Sequence, residues 1–281
     1  MISRNIYKIK NMDYSKFVGL IKERNRPSGG IKTIHNVAVN ALIDDSKEML
    51  EVGSNTGFTS VNMSLLTGCK VLGVDINKES VDEAKRYAKE QGVDRLVSFQ
   101  KANILELPFP DNSFDIVWCS NVTSFISDRN NAIKEYLRVL KLGGTLVAVP
   151  IYYIKQPSKE MVENVSKAIG TEIKVWDKSF WLELFQKVSK AEMIPIELYY
   201  ANDFRYLDRK EFIPEYVKEI MKKEQLLQFS EEERKLIKKR LEYFMELFNE
   251  NLKYAGYSIL LYKKRAKYEE MELFLTQEIK K

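Results

Sequence analysis

The chain has 281 residues, 44% of them hydrophobic and 30% charged, with a formal net charge of +5. That length and composition support a substantial core, either as one large α/β domain or as a domain with a sizeable insertion. No run reaches the roughly 18–20 consecutive apolar residues of a membrane span, and the N-terminus has no apolar stretch of the kind that directs secretion. Its two cysteines, Cys69 and Cys119, sit inside apolar runs and read as buried thiols of a reducing compartment, with no disulfide or metal pair expected. The positive charge gathers at the front, where residues 1–35 carry eight Lys/Arg against Asp13 and Glu23. This reads as a solvated surface in preference to a nucleic-acid or membrane footprint. A cytoplasmic protein without a metal is expected.

In chain order, residues 13–24 carry a weak helical pattern (Tyr14, Phe17, Val18, Ile21), which Asn25-Arg26-Pro27-Ser28-Gly29-Gly30 breaks. A second helix places Ile31, Ile34, Val37, Ala38, Ala41 and Leu42 on one stripe. Strands are expected at 49–52, 71–74, 96–100, 116–119 and 145–149. Helices at 58–66, 78–91 (Asn77 as N-cap) and 128–140 alternate with them. That alternation predicts a parallel sheet covered on both faces. Beyond Pro150 the rhythm changes: helices at 158–169 and 177–189, a sixth strand at 194–200, a helical stretch over 209–253, and a seventh strand at 257–262. Ser230 and Glu233 form a capping-box pattern inside the long stretch. The expected division is N-terminal helices (1–46), a core (47–207 with 254–264), a helical insertion (208–253) and a tail helix (265–281).

The stretch from Lys47 to Asp75 organises the rest. An apolar run leads into Glu51-Val52-Gly53-Ser54-Asn55-Thr56-Gly57, then a helical pattern, then a second apolar run ending at Asp75. A tight glycine turn lets backbone amides approach a ligand, and a carboxylate one strand over suits a ribose diol. The spacing is Gly53-x-x-x-Gly57, with Asn55 where a dinucleotide fold has its middle glycine. The backbone is therefore less open where a pyrophosphate would approach, which favours an adenosine cofactor lacking one.

Four motifs then occur in order: Glu51-x-Gly53-x-x-x-Gly57, Gly73-Val74-Asp75, Leu107-Pro108-Phe109-x-Asp111-x-Ser113-Phe114-Asp115, and Arg138-Val139-Leu140-Lys141-x-Gly143-Gly144. Over residues 28–150 the chain resembles the class I S-adenosylmethionine (SAM)-dependent methyltransferases, most closely their small-molecule branch. The resemblance implies a Rossmann-like seven-stranded sheet, parallel except the last strand. Helices would cover both faces, with N-terminal helices and a helical insertion between strands six and seven. It implies SAM as cofactor and S-adenosylhomocysteine (SAH) as product. Glu51, Gly53, Ser54, Asn55 and Gly57 would hold the methionine portion. Asp75 would take the ribose, Ile76 and Ile104 would flank the adenine, Asn103 would accept from its amino group, and Ser120 would offer its backbone carbonyl to the ammonium. Ser28-Gly29-Gly30 with Thr33 resembles a loop that closes over the cofactor with an upstream tyrosine, for which Tyr14 matches and Tyr7 competes.

No base stands out. Phe125 falls where several relatives have a histidine, leaving Tyr152, Tyr153 and the lone His35 as weak catalytic candidates. The connection after the sixth strand emerges on the cofactor side, so a helical cap over a small acceptor is expected. Tyr14, Asn121, Phe125, Tyr152, Tyr199, Tyr200, Phe204 and Tyr206 are the candidate acceptor contacts. The expected function is methyl transfer to O, N or C of a small molecule. RNA methylation and non-catalytic SAM binding stand as alternatives; a nucleic-acid partner is not expected, and a homodimer is left open.

Overall fold

The computed structural model describes residues 4–266. Strands β1 (Glu48–Val52), β2 (Lys70–Asp75), β3 (Val97–Lys101), β4 (Phe114–Cys119) and β5 (Leu140–Ala148) pair in parallel in the order β3-β2-β1-β4-β5. Strand β8 (Ala255–Lys264) runs antiparallel between β5 and β7 (Ile196–Arg205), so β7 is parallel to the first five. The sheet has one strand more than the sequence suggests: β6 (Ile151–Tyr153) also pairs with β8. Its register continues that of β5, since Ala148 faces Leu260 and Ile151 faces Tyr257. Between them Pro150 has no N–H to give a ladder, while its carbonyl accepts from Ser258 N at 3.2 Å. β6 is the fifth strand resumed after a proline break.

Near-continuous apolar runs make strands that bury both faces. One layer lies under α3 (Ile31–Asn40), α4 (Phe58–Thr67) and α5 (Lys78–Glu90), with Ile34, Val61, Phe99 and Trp118 at its centre. The other lies under α6 (Arg129–Val139) and α8 (Lys178–Ala191), around Leu50, Ile133, Tyr136 and Trp181. Asn77 caps α5 by accepting from Ser80 N at 3.0 Å. At the opposite end of the sheet from the glycine turn, buried Lys264 donates to Leu137 O (2.8 Å), Leu140 O (2.6 Å) and Asn112 Oδ1 (2.9 Å). It thereby satisfies carbonyls at the end of α6 and attaches β8 to them.

A third apolar cluster lies off the sheet. Helices α1 (Arg4–Asn11), α2 (Tyr14–Leu20), α7 (Lys159–Ile169), α9 (Ile213–Met221) and α10 (Glu231–Leu252) bring together Ile9, Phe17, Ala168, Val217, Ile237 and Phe244. Burying a side chain of this size contributes about 1.5–3 kcal/mol relative to leaving it exposed. The N-terminal helices and the insertion therefore share one core. The 209–253 stretch is not one helix: Pro214 opens α9, and α10 starts afresh on the Ser230–Glu233 capping box. Helix α1 has no counterpart in the sequence reading, because its polar composition hides its few apolar contacts. Most of the expected tail helix falls outside the described residues. Among the described residues, no helix is long and apolar enough to cross a membrane.

Candidate active site

The C-terminal ends of β1, β2 and β4 carry the site. Leaving β1, the chain folds back on β2, with Gly53 N and Ser54 N both donating to Val74 O at 2.8 and 2.9 Å. Gly53 has φ +71°, and a Cβ there would lie 2.7 Å from Val122. Val122 belongs to the turn Asn121–Phe125 that follows β4. Glycine is required on two counts, a left-handed backbone and the contact between these two turns. Asn55 also has positive φ, 44°, which asparagine tolerates better than most residues.

Backbone donors preset both carboxylates. Asp75 accepts from Asn55 N through Oδ2 and from Asn77 N through Oδ1, each at 2.9 Å. The buried Glu51 accepts from Ser60 N at 2.9 Å and from the Ser60 hydroxyl, in the first turn of α4. Burial pushes the Glu51 carboxyl up to about 7, with the Asp75 charge acting in the same sense, against the hydrogen bonds from Ser60 and Thr59. Nearby, Ser54 Oγ, Ser120 Oγ and Asn121 Oδ1 are buried without a hydrogen-bond partner. Each such atom costs roughly 1–3 kcal/mol if left unpaired. They occupy the two turns that Gly53 and Val122 bring into contact. Such orphaned atoms, beside two preset carboxylates, fit a ligand with both donors and acceptors.

Residues 50–148 match the family model of a methyltransferase domain. The chain carries a methyltransferase domain of the class I SAM-dependent type over residues 50–148. It is 32% identical over 168 residues to an uncharacterised protein of Haemophilus influenzae, covering 59% of this chain and 66% of that one. To the sterol 24-C-methyltransferase of Pneumocystis carinii it is 27% identical over 139 residues, 50% of this chain and 37% of that enzyme. The chain thus spans between about a third and two thirds of the length of these curated relatives. The crystal structure of the MccD protein superposes with a TM-score of 0.71 at 21% identity, over 86% of this chain and 100% of that one, and shows the shared fold.

Within this methyltransferase frame the remaining expected cofactor residues are placed unequally. Ile76 is 67% exposed at the end of β2, whereas Ile104 is buried. Asn103 is exposed, and its side-chain carbonyl closes a turn by accepting from Leu105 N at 3.1 Å. Only its second lone pair is left for the role expected of it. Ser28 is buried and accepts from the Tyr206 hydroxyl at 2.7 Å. Tyr14 lies away from the glycine turn in its ring contacts, edge-on to Phe244 and Phe248 in the helical cluster.

The candidate acceptor residues separate into groups. Phe125 is 44% exposed beside Asn121 on the turn after β4. Phe204 stacks on Tyr257 with ring centroids 4.9 Å apart, Tyr206 leans on the same ring, and the Tyr200 hydroxyl donates to Asn36 on α3 at 2.9 Å. Tyr199 does not join them. Its hydroxyl lies 3.4 Å from Thr145 Oγ1, and Thr145 pairs with Ile116 within β4 and with Lys263 near the end of β8, back from the strand ends that carry the site. A register shift between Leu198 and Tyr200 turns it away.

The three weak catalytic candidates lie on α3 (His35) and β6 (Tyr152 and Tyr153). His35 is exposed on the outer side of α3, opposite buried Ile34, Val37 and Ala38. Tyr152 is buried in the α6–α8 layer, where its hydroxyl accepts from Ser258 Oγ at 3.3 Å and burial raises its pKa. The Tyr153 hydroxyl donates to Asn251 at 3.0 Å and is likewise raised by burial. A phenol made harder to ionise is a poorer base precursor.

Other residues of the site gave no signal in the sequence. The Arg129 guanidinium lies 4.3 Å from the Trp176 ring, which stacks at 4.4 Å on Phe180, and Arg129 donates to Ser124 O at 2.9 Å. This ties the turn after β4 to the link between α7 and α8. A cavity of about 440 Å³ opens beside it, lined by Tyr153, Lys155, Trp176 and Phe180 among others.

Proposed function

We propose that the chain transfers a methyl group from SAM to a small-molecule acceptor by in-line displacement. The observation that carries this reading is the cluster of preset carboxylates and orphaned polar atoms around the glycine turn. Asp75, fixed by two backbone amides, would take the ribose hydroxyls as a bidentate acceptor. Glu51, Ser54, Ser120 and Asn121 would serve the methionine end, whose ammonium and carboxylate need acceptors and donors. Exposed Ile76 would cover one face of the adenine, with Ile104 beside it. Bound SAM supplies a sulfonium-borne methyl, and the sulfur leaves as a neutral thioether, so no general acid is needed.

The chain's own contribution is then orientation and exclusion of water. The cluster formed by α1, α2, α7, α9 and α10 would act as the cap over the acceptor, with Phe204, Tyr206 and Phe125 on its approach. An approach enclosed by that cap would favour a small acceptor over a folded RNA. The match to a sterol methyltransferase supports the same choice. Among the described residues no side chain is preset as a base, which favours an acceptor that is nucleophilic as it binds, or that loses its proton to solvent.

Calorimetric titration with SAM and SAH tests the premise, and a tritium-transfer screen over small amines, phenols and apolar acceptors, with tRNA as a parallel substrate, tests the rest. Binding of both ligands with turnover on a small acceptor is expected. Turnover on tRNA alone would reverse the choice of acceptor class, and failure to bind either ligand would remove the cofactor assignment.

A further inference from the structure

The segment between α2 and α3, residues 21–30, has no helix or strand of its own, yet it is tied on three sides. Toward the helical cluster, Glu23 pairs with Lys223, and Ile21 O accepts from Gln225 Nε2 at 3.2 Å. Toward the glycine turn, Asn25 N donates to Thr56 Oγ1 at 3.3 Å. Thr56 is the neighbour of Asn55, whose own amide holds Asp75. Toward α5, Arg24 donates through Nη1 to Glu83 Oε1 at 2.8 Å and through Nη2 to Glu90 Oε2 at 3.4 Å, and its guanidinium lies 3.9 Å from the Tyr87 ring centroid.

We propose that Arg24 is a positioning residue for cofactor retention: it latches this strap to α5 and so holds Asn25 against the glycine turn. The inference rests on the SAM reading given above. The Arg24 and Glu83 side chains are only 20% and 11% exposed, so this pair is largely shielded from the screening that weakens surface ion pairs. The guanidinium uses both its donors and its face, which an ammonium at the same place cannot reproduce. The latch acts at a distance of one residue from the strap's contact with Thr56, and Thr56 is one residue from the amide that fixes Asp75. A ligand lying against Asp75 and the 53–57 turn would leave past this strap, which touches the turn at Thr56. Release then requires the strap to lift, and the strap's contacts are polar and reversible, as a segment that opens and closes requires.

The test is the dissociation rate of SAH from the full chain, measured by stopped-flow displacement for wild type, Arg24→Ala, Arg24→Lys and Glu83→Gln. Arg24→Ala should release SAH roughly 5- to 50-fold faster with little change in association. Arg24→Lys should fall between it and wild type. Bound SAH should slow tryptic cleavage after Lys22 in wild type and lose that protection in Arg24→Ala. A merely structural role would lower the melting temperature without moving the ratio of the two rates. If Arg24→Ala misfolds, Glu83→Gln reads the same contact from the other side. Dissociation within twofold of wild type in both variants overturns the latch while leaving the cofactor reading intact. A wild-type chain that binds no SAH overturns the cofactor reading and the latch with it.

Discussion

Around the glycine turn, order comes from the backbone: Asn55 N and Asn77 N fix Asp75, and Ser60 N fixes Glu51. In the helical cluster it comes from side chains that reach across the whole chain, Lys223 to Glu23, and Arg240 to the carbonyls of Lys10 and Met12. The Asn55–Asp75 bond spans 20 residues of sequence, and the Arg240–Lys10 bond spans 230. Backbone-held groups survive many side-chain changes and keep their geometry without ligand. Side-chain-held elements fall together when one contact is removed. The glycine-turn end is thereby preorganised, and the helical cluster is expected to open as one unit.

The strongest way to separate the two regions is to open the cluster. Phe244 is buried among Tyr14, Phe17 and Phe248, so Phe244→Ala should cost about 3–5 kcal/mol locally. Hydrogen exchange should then show lost protection in α1, α2, α9 and α10 with β1–β5 unchanged. Protection lost evenly across the sheet would show that the regions are not separable.

Asp75→Ala addresses the other side. It should leave the circular dichroism unchanged and weaken SAH binding by about 1.5–3 kcal/mol, the range for a lost charged hydrogen bond. Unaltered affinity in calorimetry would place the ribose elsewhere.

Glu51 gives a pH test. Its carboxyl titrates near 7 when buried, above its ordinary value of 4.5. Between those values the native state holds a proton that the unfolded state has lost, so this group's contribution to stability falls as pH rises from 4.5 to 7. A bound ammonium favours the ionised form, so SAH affinity should rise roughly tenfold between pH 6 and pH 8, about 1.4 kcal/mol. Glu51→Gln should flatten that profile, and an unchanged slope would exclude Glu51 as its source.

The smallest effect is expected for Tyr206→Phe, which removes the bond to Ser28 and should cost about 0.5–1.5 kcal/mol in urea unfolding. No loss would mean that the Phe204–Tyr257–Tyr206 ring packing alone positions this edge.

Legibility in the sequence followed the same division. The parallel sheet and the Ser230 capping box were readable because a strand's periodicity and a cap's side-chain chemistry are local. Gly53 and Gly57 were readable because a left-handed turn restricts residue type. The partner of Gly53 was not, because nothing about Val122 itself announces the contact. Arg24 passed as one of eight basic residues in a solvated front end, since a charge run does not record which member finds a buried carboxylate. Tyr199 was misplaced by a one-residue shift in β7, which reverses the direction of a side chain without altering composition. Tyr152 and Tyr153 sat at the expected rim, but their hydroxyls went to Ser258 and Asn251, partners 98 residues or more away.

The position of β8 bears on how such a chain is made. Its residues 255–264 lie inside the sheet, with β5 and β6 on one side and β7 on the other, and nine of its ten residues are buried. While the ribosome is still producing α9 and α10, β5 presents an unpaired margin and β7 has no neighbouring strand to join. Such open margins invite pairing with other chains. Closure waits for synthesis to pass Lys264, when one segment is threaded between two waiting strands and its terminal ammonium closes over the end of α6. The parallel half of the sheet can form progressively during translation, but the sheet closes only after β8 has been made.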